Sequence, residues 1–228
     1  MRLILASTSP SRLALLRMAG IEPVVIAPEV DEDAVAAAAG VEGDPRRLVE
    51  LLASAKADAV HRSLAGPQDA ADPSAAGRSA ATTPAEADGR GLILGCDSVF
   101  ELDGLVYGKP HRADVATERW RRMRGRTGVL HTGHCLIDAG SAQRDAMVVS
   151  TAVEFADVTD DEIDWYVSTG EPLPVAGAFT LEGLAAPFVT RIEGDPHSVV
   201  GLSLAALRSL ARCLGIPWPA LASRPTHP

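Results

Sequence analysis

The chain is poor in aromatic residues: 228 residues include only four Phe, two Tyr and three Trp. A core built mainly from Ala, Val, Leu and Ile is therefore expected. Cysteine is scarce as well. Cys96, Cys135 and Cys213 are an odd, widely spaced set, which excludes a disulfide framework and metal-type pairing. They read as reduced core thiols in a cytoplasmic protein. Positive charge is in deficit, with a formal net charge of −9 and no Lys/Arg cluster able to follow a phosphate backbone. That argues against a DNA or RNA polymer as partner. It leaves a single nucleotide open, since a few local cations suffice for one. No apolar run approaches the roughly 18 residues of a membrane span, and the N-terminus does not read as a signal peptide. A GxxxxGK[ST] loop and a GxGxxG loop are both missing. What is present, 46% hydrophobic and 22% charged residues, suits a globular protein with ample core material.

The first twenty residues, MRLILASTSPSRLALLRMAG, organise the rest. Leu3 to Ala6 is long enough for a buried strand and too short for a helix. Ser9 then suits an N-cap, Pro10 a first helical position, and Gly20 the residue past the helix end. Free backbone N–H groups, the Ser7 and Ser9 hydroxyls and the Arg12 guanidinium converge at that turn. They fit either a phosphate cradle or an ordinary capped surface helix.

Further along, IEPVVIAP predicts a second strand, followed by four carboxylates within Glu29–Asp33. These fit a solvated loop or, at Glu32, a residue facing a divalent metal. Residues 45–62 predict a helix with Lys56 near its apolar face, either snorkelling or functional. Residues 63–90 lack large apolar side chains and predict a mobile insertion within one domain. Leu92 to Gly95 predicts a buried strand with Asp97 just beyond it. Asp103-Gly104 predicts a hairpin that returns Lys109 to the same end of a sheet.

Helix 112–124 carries four arginines, mostly toward water. His131 and His134 cannot share a face of the strand at 128–138, which argues against a two-histidine metal site. Residues 147–158 alternate as a strand, and Thr159 to Glu162 is a capping box. A glycine-rich segment at 170–183, a strand at 187–192 and a helix at 203–214 complete a domain over residues 1–216. The proline-rich tail at 217–228 is expected to be mobile after Trp218.

Two lysines, one arginine and two acids, without a nucleophilic triad, point to metal-assisted hydrolysis of a phosphate ester or anhydride. The ordered set LASTSPSRLALL, VDE, SAKA, GCDSVFELDGLVYGKP, HTGH, GEPLPVAGAFTLEG and EGDPHSVVGLSL resembles the Maf family of nucleoside triphosphate pyrophosphatases. The resemblance runs from Leu3 to about Leu214. It implies a mixed α/β fold, with a twisted sheet flanked by helices and two lobes around a cleft, and commonly a homodimer. It implies hydrolysis of a nucleoside triphosphate to the monophosphate and pyrophosphate with a divalent cation, Mg²⁺ or Mn²⁺. In the family's terms Asp97 takes the general-base position and a metal-ligand position. Ser7, Arg12, Lys56 and Lys109 take the family's phosphate-handling positions, and Glu32 takes an acidic, metal-associated position; Ser9 is expected to bind substrate with them as part of the phosphate cradle.

Three specificity positions depart from the commonest pattern: Ser11 replaces the first arginine of an SPRR turn, Ser98 stands where Thr is frequent, and Glu182 where Gln is frequent. Glu182 fits the branch acting on 7-methyl-GTP, because a carboxylate can accept from guanine N1–H and the exocyclic amine. Ser11 and Ser98 do not decide the base. A nucleotide-binding regulator of cell division without turnover is the alternative from another functional class.

Overall fold

The computed structural model describes residues 1–41, 43–65 and 91–222. β1 (Arg2–Ala6) leads into α1 (Pro10–Met18), whose Ser9 cap accepts from the Arg12 backbone N–H. β2 (Val24–Val25) is shorter than the sequence pattern suggests and pairs in parallel with Ile4 and Leu5. α2 (Glu32–Ala39) starts inside the acidic segment Glu29–Asp33 that was expected to be a solvated loop. Asp31 caps it through the Ala34 N–H, and Gly40 ends it in the left-handed region.

α3 (Pro45–Ala65) runs three residues past the expected end, so residues 63–65 are helical. The rest of the expected insertion, 66–90, lies outside the described residues. β3 (Gly91–Leu102) and β4 (Leu105–Tyr107) make the hairpin, and Asp103 and Gly104 both have positive φ (55° and 73°). Such a pair suits the tight turn that matches strand twist.

α4 (Ala113–Met123), β5 (Thr127–Asp138), β6 (Arg144–Phe155) and α5 (Asp160–Ser168) follow. The full capping box is present at Thr159 and Glu162. β7 (Val189–Glu193) precedes α6 (Pro196–Val200), a short helix capped by Asp195. α7 (Leu204–Cys213) closes the order, capped by Ser203.

The seven strands form one open mixed sheet in the order β2-β1-β3-β5-β6-β7, with β4 added to β3. β1 pairs in parallel with β2 and β3, and the other pairs are antiparallel. Period-two alternation sorts β3 between two layers. Leu92, Leu94 and Cys96 join the core shared with α1 and α7, while Ile93 packs with Ala53, Ala57 and Val60 of α3.

Gly95 and Gly133 let α3 lie against the sheet. A Cβ at Gly95 would sit 2.1 Å from the Ala53 carbonyl oxygen, and one at Gly133 2.2 Å from that of Val49. Eight of the nine aromatics are gathered: Phe100, Tyr107, Trp120, Phe155, Trp165, Tyr166, Phe179 and Phe188 form one set of ring contacts, while Trp218 packs against the α1 and α7 core. The aliphatic core expected from composition therefore holds only around α1, α3 and α7.

Two further expectations are corrected. Cys213 is exposed, whereas Cys96 and Cys135 are buried. The tail packs as far as Ala222, with Leu221 buried against the α1 and α7 core.

Candidate active site

β1 ends at Ala6, opposite Gly95 of β3, and the chain turns away through Ser7 to Ser9. β3 continues, so its next residues stand over the mouth of that turn. Asp97 therefore lies inside a twelve-residue strand, opposite Gly133 of β5, and not just beyond a strand end. The apolar run breaks at Gly95 because α3 needs the space, not because the strand stops there.

α3 crosses above and delivers Lys56, which is buried. Its ammonium donates to Asp97 Oδ1 at 2.5 Å and pairs with Glu32 Oε1, at the start of α2, at 2.8 Å. Burial raises the Asp97 pKa above the ordinary aspartate value, and the Lys56 and Arg12 cations pull it part of the way back. Cys96, next in the strand, faces the apolar layer, and burial pushes its thiol up to about 12. It is no nucleophile at neutral pH.

Arg12 is a strut as much as a binding group. Its Nε donates to the Gly201 carbonyl at 2.8 Å, and Nη1 donates to Ser7 Oγ and the Cys96 carbonyl at 3.1 and 2.9 Å. Nη2 donates to Ser98 Oγ at 3.1 Å, so four of its five N–H groups are committed. Ser98 in turn bonds Thr132 Oγ1 at 3.0 Å, and Thr132 donates to the Ser198 carbonyl. Ser9 Oγ serves the helix cap, and the Ser9 N–H donates to Ser7 Oγ.

Lys109 arrives by the hairpin. The Gly108 carbonyl before it accepts from Arg119 Nη1 and the Gly177 N–H, and Arg119 lies 5.3 Å over the Tyr107 ring. Lys109 itself is exposed and makes no hydrogen bond or ion pair among the described residues.

One cleft of about 880 Å³ takes in Ser7, Ser9, Ser11, Arg12, Glu32, Lys56, Asp97, Ser98, Lys109 and Glu182. All ten candidate residues from the sequence thus border one hollow. His131 and His134 do not. His131 bonds Ser150 and Glu101, and His134 Nε2 accepts from the Ser203 N–H. Sequence reasoning missed Thr180 and the apolar lining from Leu48, Val99 and Phe179. It also passed over a signal in plain view: Lys56 and Lys109 are the chain's only two lysines, against nineteen arginines. Both stand in this cleft.

Residues 2–214 match the protein family described as Maf-like protein. The chain belongs to the Maf family. It is similar to a protein of Leifsonia xyli subsp. xyli, 52% identical over 231 residues that cover 98% of each chain. A Salinispora tropica protein is 50% identical over all of this chain and 91% of its own. A Streptomyces coelicolor protein is 48% identical over 94% of this Maf chain and 91% of its own. Each of the three is named nucleoside triphosphate pyrophosphatase.

Proposed function

We propose that this Maf protein hydrolyses a nucleoside triphosphate to the monophosphate and pyrophosphate. One observation carries the reading: a buried carboxylate, Asp97, faces the only two lysines of an arginine-rich chain across a single cleft. Lysine is a compact point charge suited to phosphate oxygens. The names of the similar proteins support the same reaction.

In this account the phosphate chain draws the Lys56 ammonium away from Asp97. The carboxylate, already pushed toward protonation by burial, then accepts a proton from a water directed at the α-phosphorus. The bond from the α-phosphorus to the bridging oxygen breaks, and pyrophosphate leaves with its charge offset by Lys56, Lys109 and the remaining N–H of Arg12. Asp97 returns its proton to solvent.

The donor set suits a hard divalent cation held jointly with substrate. Glu32 and Asp97 converge on one positively charged point, now the Lys56 ammonium. Among the described residues no group of three or more His, Cys, Asp or Glu forms an all-protein cage. Mg²⁺ keeps several waters and takes one or two carboxylates plus phosphate oxygens. Glu32 and Asp97 would hold Mg²⁺ or Mn²⁺, which when bound supplies Lewis-acid charge at the phosphates.

Glu182 is exposed in the cleft and makes no hydrogen bond or ion pair among the described residues, which favours a base offering donors, guanine or 7-methylguanine. A homodimer, which rests on the family resemblance, and a cytoplasmic location, which rests on the unpaired cysteines, belong to the same proposal. Among the described residues no helix is long and apolar enough to cross a membrane.

The test is product analysis with canonical, methylated and deaminated triphosphates and either metal. Pyrophosphate plus monophosphate as first products is expected. Orthophosphate first, or tight binding without turnover, contradicts the reading.

A further inference from the structure

Away from the charged centre, one carboxylate has more partners than a surface acid requires. Glu171 lies just past α5. Its Oε1 accepts from the Tyr166 hydroxyl at 3.1 Å, Thr180 Oγ1 at 2.5 Å and the Leu184 N–H at 2.8 Å. Oε2 accepts from the same Leu184 N–H at 3.1 Å. One donor belongs to the core and the others to the two ends of the turn Thr180–Leu184. Tyr166 is fully buried, edge-on to Trp120 and Phe188, and burial raises its phenol pKa, so it remains a donor in a fixed place.

Gly183 shows how closely the carboxylate fills the inside of the turn. A Cβ there would lie 2.5 Å from Thr180 Oγ1 and 2.7 and 2.8 Å from the Glu171 oxygens.

The outside of the same turn faces the cleft. Thr180 and Glu182 line it, next to Val175 and Phe179. Residues 174–182 bring no cation to the lining, whereas Arg12, Lys56 and Lys109 all come from elsewhere. Phosphates belong with the cations. The base is what this cation-free wall can receive.

We infer that Glu171 is a positioning residue for base recognition, holding the Thr180–Leu184 turn in the shape that presents Thr180 and Glu182 to the base. The inference rests on the pyrophosphatase reading of the cleft. Glu171 touches neither the phosphates nor Asp97. It acts through the turn, so its loss affects discrimination among bases and leaves the grip on phosphate alone.

The experiment is calorimetry with α,β-methylene triphosphates of several bases, and with inorganic triphosphate as the base-free probe. Wild type, E171A and E171Q are compared. E171A is expected to compress the affinity ratio between best and worst base by about tenfold, the scale of one lost hydrogen bond. Its affinity for inorganic triphosphate stays within about twofold of wild type, as does kcat at saturating nucleotide while KM rises. The Gln carbonyl can accept the Thr180 and Leu184 bonds that hold the two ends of the turn, so E171Q retains more of the discrimination than E171A. Should E171A fail to fold, G183A, whose Cβ crowds the same carboxylate, is expected to act in the same direction. The same ratio in wild type and these variants overturns the inference, including the case in which none distinguishes bases. Absence of pyrophosphate release by wild type would instead overturn the proposed reaction, and the binding ratios would still be read.

Discussion

Asp97 and His134 are both buried titratable groups, and burial moves them in opposite directions. Burial penalises the charged form, so it raises the aspartate and lowers the histidine. For Asp97 the raised folded pKa means that its stability contribution is present at low pH and declines as pH rises through that pKa. Activity runs the other way, because the base must be ionised. The acid limb of kcat/KM is therefore expected above pH 3.8, the ordinary aspartate value, and K56Q should move it further up by removing the cation that opposes the shift. A limb at or below 3.8 contradicts this role.

His134 is lowered to about 4, mainly by burial, and its neutral Nε2 accepts from the Ser203 N–H at the start of α7. Its contribution is complete above pH 6.5 and is lost as pH falls toward 4, amounting to about 3 kcal/mol. Urea midpoints should fall over that window in wild type and less steeply in H134Q. Equal slopes would contradict it. The sequence showed that His131 and His134 could not share a strand face, but not that His134 accepts from the backbone N–H of the residue that caps α7, since Ser203 lies 69 residues away.

α3 is the element that makes the site. Its contact with Gly95 and Gly133 brings Lys56 down to Asp97, so helix position and the ion pair are one structural fact. G95A puts a Cβ 2.1 Å from the Ala53 carbonyl oxygen and must lift the helix. The expected result is a loss of about 1–3 kcal/mol in urea unfolding, together with reduced turnover. A variant with wild-type stability would show that the helix does not depend on this contact.

The element pattern was largely legible: β1, α1, the hairpin and the capping box follow from local caps, turns and periodicity. α2 was not, because EDAVAAAA carries no apolar stripe and buries no residue. Its only local signals are the Asp31 cap and Gly40. The full length of β3 was hidden because a glycine and an acid within it answer to α3, a partner that local pattern does not reveal.

At the scale of the molecule, the lysine distribution is itself a probe. Reductive methylation should modify only the N-terminus, Lys56 and Lys109, and a nucleoside triphosphate should protect both lysines, as read by peptide mass spectrometry. Protection of neither would separate them from the substrate.

The family and the gathering of its motifs could be recognised from the chain because the motifs occur in order. A cleft was expected from the resemblance alone; local pattern could not show what lines it, because it joins α1, α2, α3, β3 and the 174–182 wall, which meet only in the folded sheet. The most direct measurement is pyrophosphate release by D97N, alongside its affinity for a non-hydrolysable triphosphate. Release lower by about 10²–10⁴-fold with binding retained is the predicted result. Metal-dependent release near the wild-type rate would contradict it.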